Sequence, residues 1–585
     1  MSTDNRSEIL KHIRSCIQER DYNEAETAFD NNISPEDYKS DDLMYLGGII
    51  KQNLNKYREA LECFRKCYRL SPENIQFSYN YATLLLKFAS YKESERIFES
   101  ILSKKPGHKA ASANYSSLLL KKGEISKAER ILNKILDLYP DNPDILTVAG
   151  NLYRESGKPE KAFKTYKRAE SYTSESIVTL SNKILSTNYF FTSRQDSLSI
   201  HTEFQKVFSK FHSDKELKPR PLKNRRLKIA YLSKDFKTHS VAYFAEPLLR
   251  MHSREEFQIY GLSDVMRPDH VTKRLSNLDL IWKDTTQMTN QALLEYIRGE
   301  GIDILIDLGG HTNGVRLPVF MMRAASVQIT YLGYPNTTGI KNMDWRICDN
   351  LSDPEENSPF YTEELYRLPD TFLSYLPPAT TPGTKESPVK HKGYLTFGSF
   401  NNISKYSNKT IELWSSIIKE IPGSKLLLKA KQFRDEGIKK EFTRRFSEYG
   451  VDTQDILFRP HTSSVQDHLK TYDEIDIALD PYPYNGTTTT LEALWMGVPV
   501  ITRYSSVHAS RVGLSILSAA GLSSLSSDSD KKYIETAIYF GAHPERLNPL
   551  HKNLRNSLLN SPLCRYKDFV LNFEHALKEM IKTRI

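Results

Sequence analysis

Long apolar runs are missing from this chain of 585 residues, and nowhere do eighteen apolar residues follow one another as a bilayer-spanning helix requires. The opening MSTDNRSE lacks the basic-then-apolar pattern of a secretory signal. Both absences predict a cytosolic chain without membrane association. Cysteine is scarce: Cys16, Cys63, Cys67, Cys348 and Cys564 form no CxxC pair and no Cys/His cluster with zinc spacing. Cys63 and Cys67 would lie one helical turn apart, and buried free thiols are expected. Charge imbalance is small, at +9. Its densest cluster, KPRPLKNRRLK at 218–228, reads as a solvated linker rather than a nucleic-acid surface, although a positive balance also suits a polyanionic small substrate. With 39% hydrophobic and 26% charged residues, the chain is an ordinary soluble one, long enough for three or four domains of ~100–200 residues each.

What is present first is repetition. YREALECF (57–64), YKESERIF (91–98), ISKAERIL (125–132) and PEKAFKTY (159–166) recur every 34 residues, placing Ala60, Ser94, Ala128 and Ala162 in equivalent positions. Pro72, Pro106 and Pro140 keep the same spacing. This is the tetratricopeptide period: two helices, a small residue where they touch, and a proline that ends the second. A degenerate copy, DYNEAETAF (21–29), precedes them as a cap. Residues 1–170 are therefore expected to form an α-solenoid with a concave groove for peptides, the alternatives being a packing scaffold or a homodimer surface. From 171 to 226 the helical pattern continues without the period, as a helical linker.

Beyond Arg226 short apolar runs alternate with amphipathic stretches, the signature of parallel sheets covered by helices. LKIAYLS, IDILIDLGG and VQITYLGYP are expected strands of one lobe (227–375). YLTFGSF, SKLLLKA, DILFRP, DIALD and VPVIT are expected strands of a second (394–585, with C-terminal helices), and the Pro/Thr/Lys-rich stretch 376–393 joins the lobes. Two such lobes frame a cleft whose ligand lies at the C-terminal strand ends. There DPYPYNGTTTTLEALWMG carries Thr487, Thr488, Thr489 and Thr490 into a helix start. One hydroxyl suffices to cap a helix, so four point to a diphosphate cradle using unpaired N–H groups.

Together with LGYPNTTG, LTFGSFNNISK, SVHASRVGLSIL and DFKTHSVAYFAEPLL, these residues resemble the family of protein O-GlcNAc transferase and its relative SPINDLY, a protein O-fucosyltransferase, over essentially the whole chain. The resemblance implies a GT-B fold of two Rossmann-like lobes, with nucleotide sugar held mainly by the second, and inverting transfer from that donor to Ser or Thr of proteins. GSFNN, YNGTTTT and SVHA look like SPINDLY. Tyr484 and Thr487 stand where the O-GlcNAc branch has Cys and His near the N-acetyl group, and a Tyr there would shrink such a pocket. ASRVG, with Arg511, is closer to the O-GlcNAc branch. GDP-fucose is accordingly favoured over UDP-GlcNAc as donor. Alternatives are a non-protein acceptor, or a repeat scaffold with an inactive transferase lobe.

By the same resemblance, Lys405 would contact the diphosphate, and Asn401 and Asn402 would bind donor beside it. Thr488 and Thr489 would bind the phosphates, Glu492 the ribose hydroxyls, and His468 would lie near the base, with Lys429 and Lys431 contacting nucleotide. His239 matches the cleft histidine, as base or as an orienting group, and His311 is a second catalytic candidate. Leaving-group stabilisation should dominate. No Asp-x-Asp context suggests a divalent metal, so neither metal nor other cofactor is expected. A chain lacking 1–170 is expected to lose activity on proteins yet still hydrolyse donor.

Overall fold

The computed structural model describes residues 3–32, 40–173, 175–221, 225–462 and 464–584. It begins with antiparallel helix pairs: α1 (Thr3–Gln18) and α2 (Tyr22–Asn32), α3 (Asp41–Asn53) and α4 (Tyr57–Leu70), α5 (Ile75–Lys87) and α6 (Tyr91–Lys104), α7 (Lys109–Lys122) and α8 (Ile125–Leu138), α9 (Pro143–Glu155) and α10 (Pro159–Glu170). Ala60, Ser94, Ala128 and Ala162 are all fully buried where the helices of each pair meet. The first helices answer with small residues of their own. A Cβ on Gly48 would lie 2.4 Å from Phe64, and one on Gly150 would lie 2.3 Å from Tyr166, so the pairs close at backbone contact and any added side chain would open them.

Caps keep the 34-residue phase as well. Ser40, Asn74, His108 and Asn142 each accept a backbone N–H at the start of a first helix. The next position in phase is Ser176, which caps α11 (Ile177–Ser186) in the same way. The period therefore runs one helix beyond 170, correcting the expectation of an aperiodic linker from 171. What hid it is the missing partner: after α11 the chain turns through Thr187–Tyr189 into α12 (Arg194–Val207), so no second helix with an alanine signature follows. The basic stretch 218–228 is not simply solvated either; its residues 222–224 lie outside the described residues, but Arg225 gives paired bonds of 2.6 and 2.9 Å to the buried Asp303.

Two all-parallel sheets follow. The first holds β1 (Leu227–Ser233), β2 (Phe257–Ser263), β3 (Ile281–Asp284), β4 (Ile304–Asp307), β5 (Val327–Thr330), β6 (Trp345–Asp349) and β7 (Glu364–Leu368), in the order β3-β2-β1-β4-β5-β6-β7. The second holds β8 (Thr396–Ser399), β9 (Lys425–Lys429), β10 (Ile456–Arg459), β11 (Ile477–Leu479), β12 (Val500–Arg503) and β13 (Ser526–Ser527), in the order β10-β9-β8-β11-β12-β13. Helices cover both faces, which is why the central strands β4, β5, β8 and β11 are buried throughout rather than alternating. In each sheet the strand order reverses at one point, between β1 and β4 and between β8 and β11, and ligands of such sheets bind there. This is the solenoid plus double Rossmann-like architecture expected from the sequence.

The last helix, Tyr566–Lys582, departs from the expected partition. It returns to the first lobe, where Glu574 accepts from the Ser253 amide (2.7 Å) and pairs with His252 (3.0 Å), and Phe573 packs on Tyr331. The solenoid is equally committed to the second lobe. Ser126 donates from its amide and its hydroxyl to the two oxygens of Asp435 (2.8 and 2.5 Å), Lys158 pairs with Glu441 (3.0 Å), and Arg445 reaches the Gly157 carbonyl (3.2 Å). One continuous apolar core runs from Ala60 to Ile581.

Removing residues 1–170 would thus uncover core rather than detach a module. The expected product is a fragment that aggregates or binds a hydrophobic dye and unfolds without a cooperative transition, measured by dye fluorescence and calorimetry. A soluble fragment with a sharp transition and donor hydrolysis would show that the repeats fold apart from the lobes.

Candidate active site

Between the two reversal points lies a cavity of about 300 Å³. The first lobe contributes His239, Ser240, Val241 and Phe244, from the segment after β1, with Leu332 and Gly333 after β5. The second contributes Asn401, Asn402 and Lys405 after β8, and Tyr484, Thr487, Thr488 and Thr489 after β11. Eight residues singled out from the sequence therefore share one wall-to-wall space, and hydrophobic Val241, Phe244 and Leu332 form a patch that sequence patterning did not mark.

Lys405 is the only cation among the residues lining that space, leaving aside the titratable His239. Its ammonium donates to the Asn485 carbonyl (2.6 Å) and sits 4.0 Å from the centre of the Tyr484 ring. Burial lowers its pKa to about 8, against the weaker pull of Asp480. The loop that presents it is fixed from below: Tyr406 is fully buried against Trp414 and Phe442 and donates to the Ser399 carbonyl (2.9 Å), while Ser404 donates to the Arg154 carbonyl of α9 (2.9 Å). Repeat array and lysine loop are in direct contact.

The turn between β11 and the helix Thr488–Trp495 is built around Asp480. Its Oδ1 accepts from the Gly486 amide (2.8 Å) and its Oδ2 from Thr502 (2.6 Å); burial still raises its pKa to about 6. Gly486 has to be glycine, because a Cβ would lie 2.5 Å from the hydroxyls of Thr489 and Thr490. Asn485, fully buried, bonds the Pro481 and Arg503 carbonyls (3.0 and 3.2 Å). The helix begins without any side-chain cap: Thr487 makes no capping bond. Its first N–H groups thus remain available beside the Thr487 and Thr488 hydroxyls. Thr489 donates to Asn401 Oδ1 (3.0 Å), tying the two strand ends together. Thr490 differs: it is buried, turns inward to Asp480 (3.4 Å) and does not line the cavity, and the Thr489 proton is spent on Asn401, so the expected cradle of four hydroxyls comes down to two free donors, Thr487 and Thr488.

Behind the cradle is a polar chain. Lys429, nearly inaccessible, donates to His468 Nδ1 (2.9 Å) and to Thr471 (2.9 Å); His468 Nε2 therefore carries the proton and donates to Glu492 Oε2 (3.0 Å), which Tyr472 also approaches (3.4 Å). Burial brings Lys429 down to about pKa 8. The structure brings these three residues together with one another, one layer outside the cavity wall.

Three candidates sit elsewhere. His311 is fully buried between α11 and the first lobe, bonded to the Thr338 carbonyl (2.8 Å) and Ser181 (3.2 Å), with its pKa lowered to about 4 by burial; it is a core histidine and not a catalytic one. Lys431 pairs with Glu155 of α9 (3.1 Å) at the repeat junction rather than reaching the cradle. Arg511 donates to the Leu351 and Ser505 carbonyls (2.6 and 2.9 Å). It belongs to a clasp between the lobes, together with His508, which pairs with the fully buried Asp353 (2.6 Å), and Ser515, which donates to Asp349 (2.5 Å).

His239 stands across the cavity from Lys405. Its Nδ1 accepts from the Val241 amide (3.3 Å), so Nε2 bears the proton and offers a donor to the cavity. Burial holds its pKa below the usual value despite Asp235, 3.9 Å away. Tyr189, from the segment after α11, completes the surroundings by packing on Tyr484 at 5.2 Å between ring centres.

The model of glycosyl transferase family 41 matches residues 199–375 and 389–573, and tetratricopeptide-repeat models match 42–74 and 90–152. The chain is 35% identical over 405 residues to the probable UDP-N-acetylglucosamine–peptide N-acetylglucosaminyltransferase SPINDLY of Oryza sativa subsp. japonica, covering 68% of this chain and 44% of that protein. To the probable UDP-N-acetylglucosamine–peptide N-acetylglucosaminyltransferase SEC of Arabidopsis thaliana it is 29% identical over 368 residues, covering 61% and 37%. The chain thus spans under half the length of these curated relatives. A solved O-GlcNAc transferase mutant from Thermobaculum terrenum superposes with a TM-score of 0.84 at 29% identity, over 88% of this chain and 98% of that one.

The depressed pKa of Lys405 carries a stability signature. The unfolded chain binds a proton that the folded one releases between about pH 8 and 10.5, so the charged lysine weakens the fold fully below pH 8 and less as pH rises through that window. Lys405→Met is expected to raise the thermal midpoint of the ligand-free protein at pH 7, with the gain shrinking towards pH 10. A midpoint that falls at pH 7 would contradict the buried, uncompensated ammonium.

Proposed function

The chain belongs to glycosyl transferase family 41, the family of protein O-GlcNAc transferase and SPINDLY, and from that premise we propose that it transfers a sugar from a nucleoside diphosphate to Ser or Thr of proteins with inversion. The observation that supports this is the pairing of an uncompensated ammonium, Lys405, with an uncapped helix N-terminus on one wall of the cleft. The bond from the anomeric carbon to the diphosphate breaks and its electron pair leaves with the diphosphate, while a new bond forms from the acceptor oxygen on the opposite face. Negative charge grows on the departing phosphate, where Lys405, the Thr487 and Thr488 hydroxyls and the helix N–H groups converge. His239, with its proton on Nε2, orients by donating, and the acceptor hydroxyl gives its proton to solvent water as its oxygen bonds the anomeric carbon.

For the donor, GDP-fucose is favoured over UDP-GlcNAc. Tyr484 supports it, since its ring fills space beside the cradle between Lys405 and Tyr189 and leaves less room for an N-acetyl group. The greater identity to SPINDLY than to SEC points the same way. UDP-GlcNAc is the second reading, favoured by the printed names of those relatives and by the Thermobaculum enzyme. No metal enters this proposal. The Asp-x-Asp at 528–530 does not offer one, because Asp530 is taken by Lys409 and Arg503 (both 2.9 Å).

Offered both donors, the purified chain is expected to be stabilised by GDP-fucose and to transfer fucose to protein, unaffected by a chelator; stabilisation and transfer with UDP-GlcNAc alone would reverse the donor assignment. Lys405→Ala should lower kcat by roughly 10²–10³ with the fold intact, as for loss of one charge-stabilising donor. Because the free enzyme's ammonium is lost as pH rises through about 8, kcat/KM should fall on that alkaline side, while the kcat limb lies higher, the bound diphosphate holding the proton on. Coincident limbs in the two profiles would remove Lys405 from the phosphate.

A further inference from the structure

Arg346 stands on β6 with its side chain buried, 2% of the residue exposed, against the turn that follows β5. Its Nη1 donates to the Tyr334 and Asn336 carbonyls, each at 2.9 Å. Leu332 and Gly333 of that turn line the cavity. The turn has no slack elsewhere: a Cβ on Gly333 would lie 1.8 Å from the Leu308 carbonyl oxygen, the Tyr334 hydroxyl bonds His201 (2.7 Å), and Asn336 donates to Asn188 (2.9 Å) and Ser197 (3.0 Å).

From the same guanidinium a line of contacts crosses to the second lobe. Its Nε lies 3.6 Å from Asp353 Oδ2, too far for a hydrogen bond, and finds no other acceptor among the described residues although it is fully buried. Asp353 Oδ2 accepts from Nδ1 of His508 (2.6 Å), the first residue of the second-lobe helix His508–Ala519, while Oδ1 accepts from Tyr361 (2.7 Å) and Asn357 (3.2 Å). Beside His508, the Ala509 carbonyl accepts from the Asn485 amide (2.9 Å), and the Asn485 carbonyl holds the Lys405 ammonium (2.6 Å). Arg346, Asp353, His508, Ala509 and Asn485 are all buried, so water does not loosen the line. An unmet buried donor weakens the fold. A guanidinium nevertheless suits this place, because its planar fork spans from the two carbonyls to Asp353, which a single ammonium does not.

We propose that Arg346 is a positioning residue for the cleft. Through the Tyr334–Asn336 turn on one side, and Asp353, His508 and Asn485 on the other, it sets the separation between the first-lobe wall at Gly333 and the Lys405 ammonium. It does not line the cavity; it acts by holding the two walls where a departing phosphate meets its cation. The effect on turnover rests on the transferase reading above, whereas the effect on the two walls does not.

Amide hydrogen exchange and steady-state kinetics of the full chain test this, using Arg346→Lys, His508→Phe and the double variant, each measured at the same interval below its own thermal midpoint. In Arg346→Lys, exchange should quicken roughly tenfold in peptides covering 331–337 and also in those covering 482–487 across the cleft. Quickening confined to 331–337 overturns the proposal, since the arginine would then serve only its own turn. Assayed with GDP-fucose and with UDP-GlcNAc, kcat should fall roughly ten- to a hundredfold while the donor KM stays within about twofold. The double variant should be no slower than the slower single one, because links of one chain are not additive. A raised KM with kcat unchanged, or losses in kcat that multiply, also overturns it. Should Arg346→Lys fail to fold, His508→Phe reads the line from the other lobe, and unchanged exchange in 331–337 would then defeat the proposal. Exchange quickened on both walls, in a chain that transfers neither sugar, would uphold the role of Arg346 and defeat the transferase reading.

Discussion

A single ammonium placed in a half-dry cleft without a carboxylate beside it is the constraint around which this molecule is arranged. Lys405 is held by a carbonyl oxygen and an aromatic face, both weak acceptors compared with an ion pair. Had Asp480 reached it, the lysine would be neutralised in the resting protein. Instead Asp480 spends its oxygens on the Gly486 amide and the Thr502 hydroxyl, shaping the turn and leaving the cation unsatisfied. Such a group is unfavourable for the fold and favourable for an incoming anion, and it persists because the surrounding packing leaves it no other place.

That packing has two tiers. Nearest are the buried rings and hydroxyls under the lysine loop, Tyr406 against Trp414 and Phe442, and Ser404 against α9. Farther out, the two lobes are fastened by His508 on Asp353, Arg511 on the Leu351 carbonyl and Ser515 on Asp349, while the final helix crosses back to the first lobe through Glu574. The clasp also bears on the site itself: Ala509, next to His508, accepts from the Asn485 amide (2.9 Å), and the Asn485 carbonyl holds Lys405, so these contacts help set where Lys405 stands relative to His239.

The fold was legible because its signals are periodic: a 34-residue repeat survives in alanines, caps and prolines, and buried parallel strands read as short apolar runs. Strands β3, β7 and β13 escaped because an edge strand such as IWKD or ELYRL is half exposed and carries charge, β6 because the buried charges Arg346 and Asp349 break up its short apolar run, and β2 because Gly261 interrupts its pattern to admit Trp282. In the site, residues that directly follow β8 and β11 were readable, since strand order fixes where a sheet holds its ligand. His311, Lys431 and Arg511 were not. Each also follows a strand or opens a helix, and only the arrival of α11, α9 or the neighbouring lobe decides that the side chain turns away. Asp480 and Asn485 lie inside the DPYPYNGTTTT stretch without a pattern that marks their role, and Tyr189 lies in no motif; the importance of all three is one of placement.

Ser176 caps a helix that is at once the last turn of a superhelix and a wall of the first lobe, covering His311. A solenoid anchored in this manner is held most firmly at its carboxy-terminal end. The helices from α8 onward, with their turns, bond the lobes through Ser126, Arg154, Gly157 and Ser181, so a change of curvature near that end would be passed to the lysine loop, whereas the earliest pairs could flex without moving it.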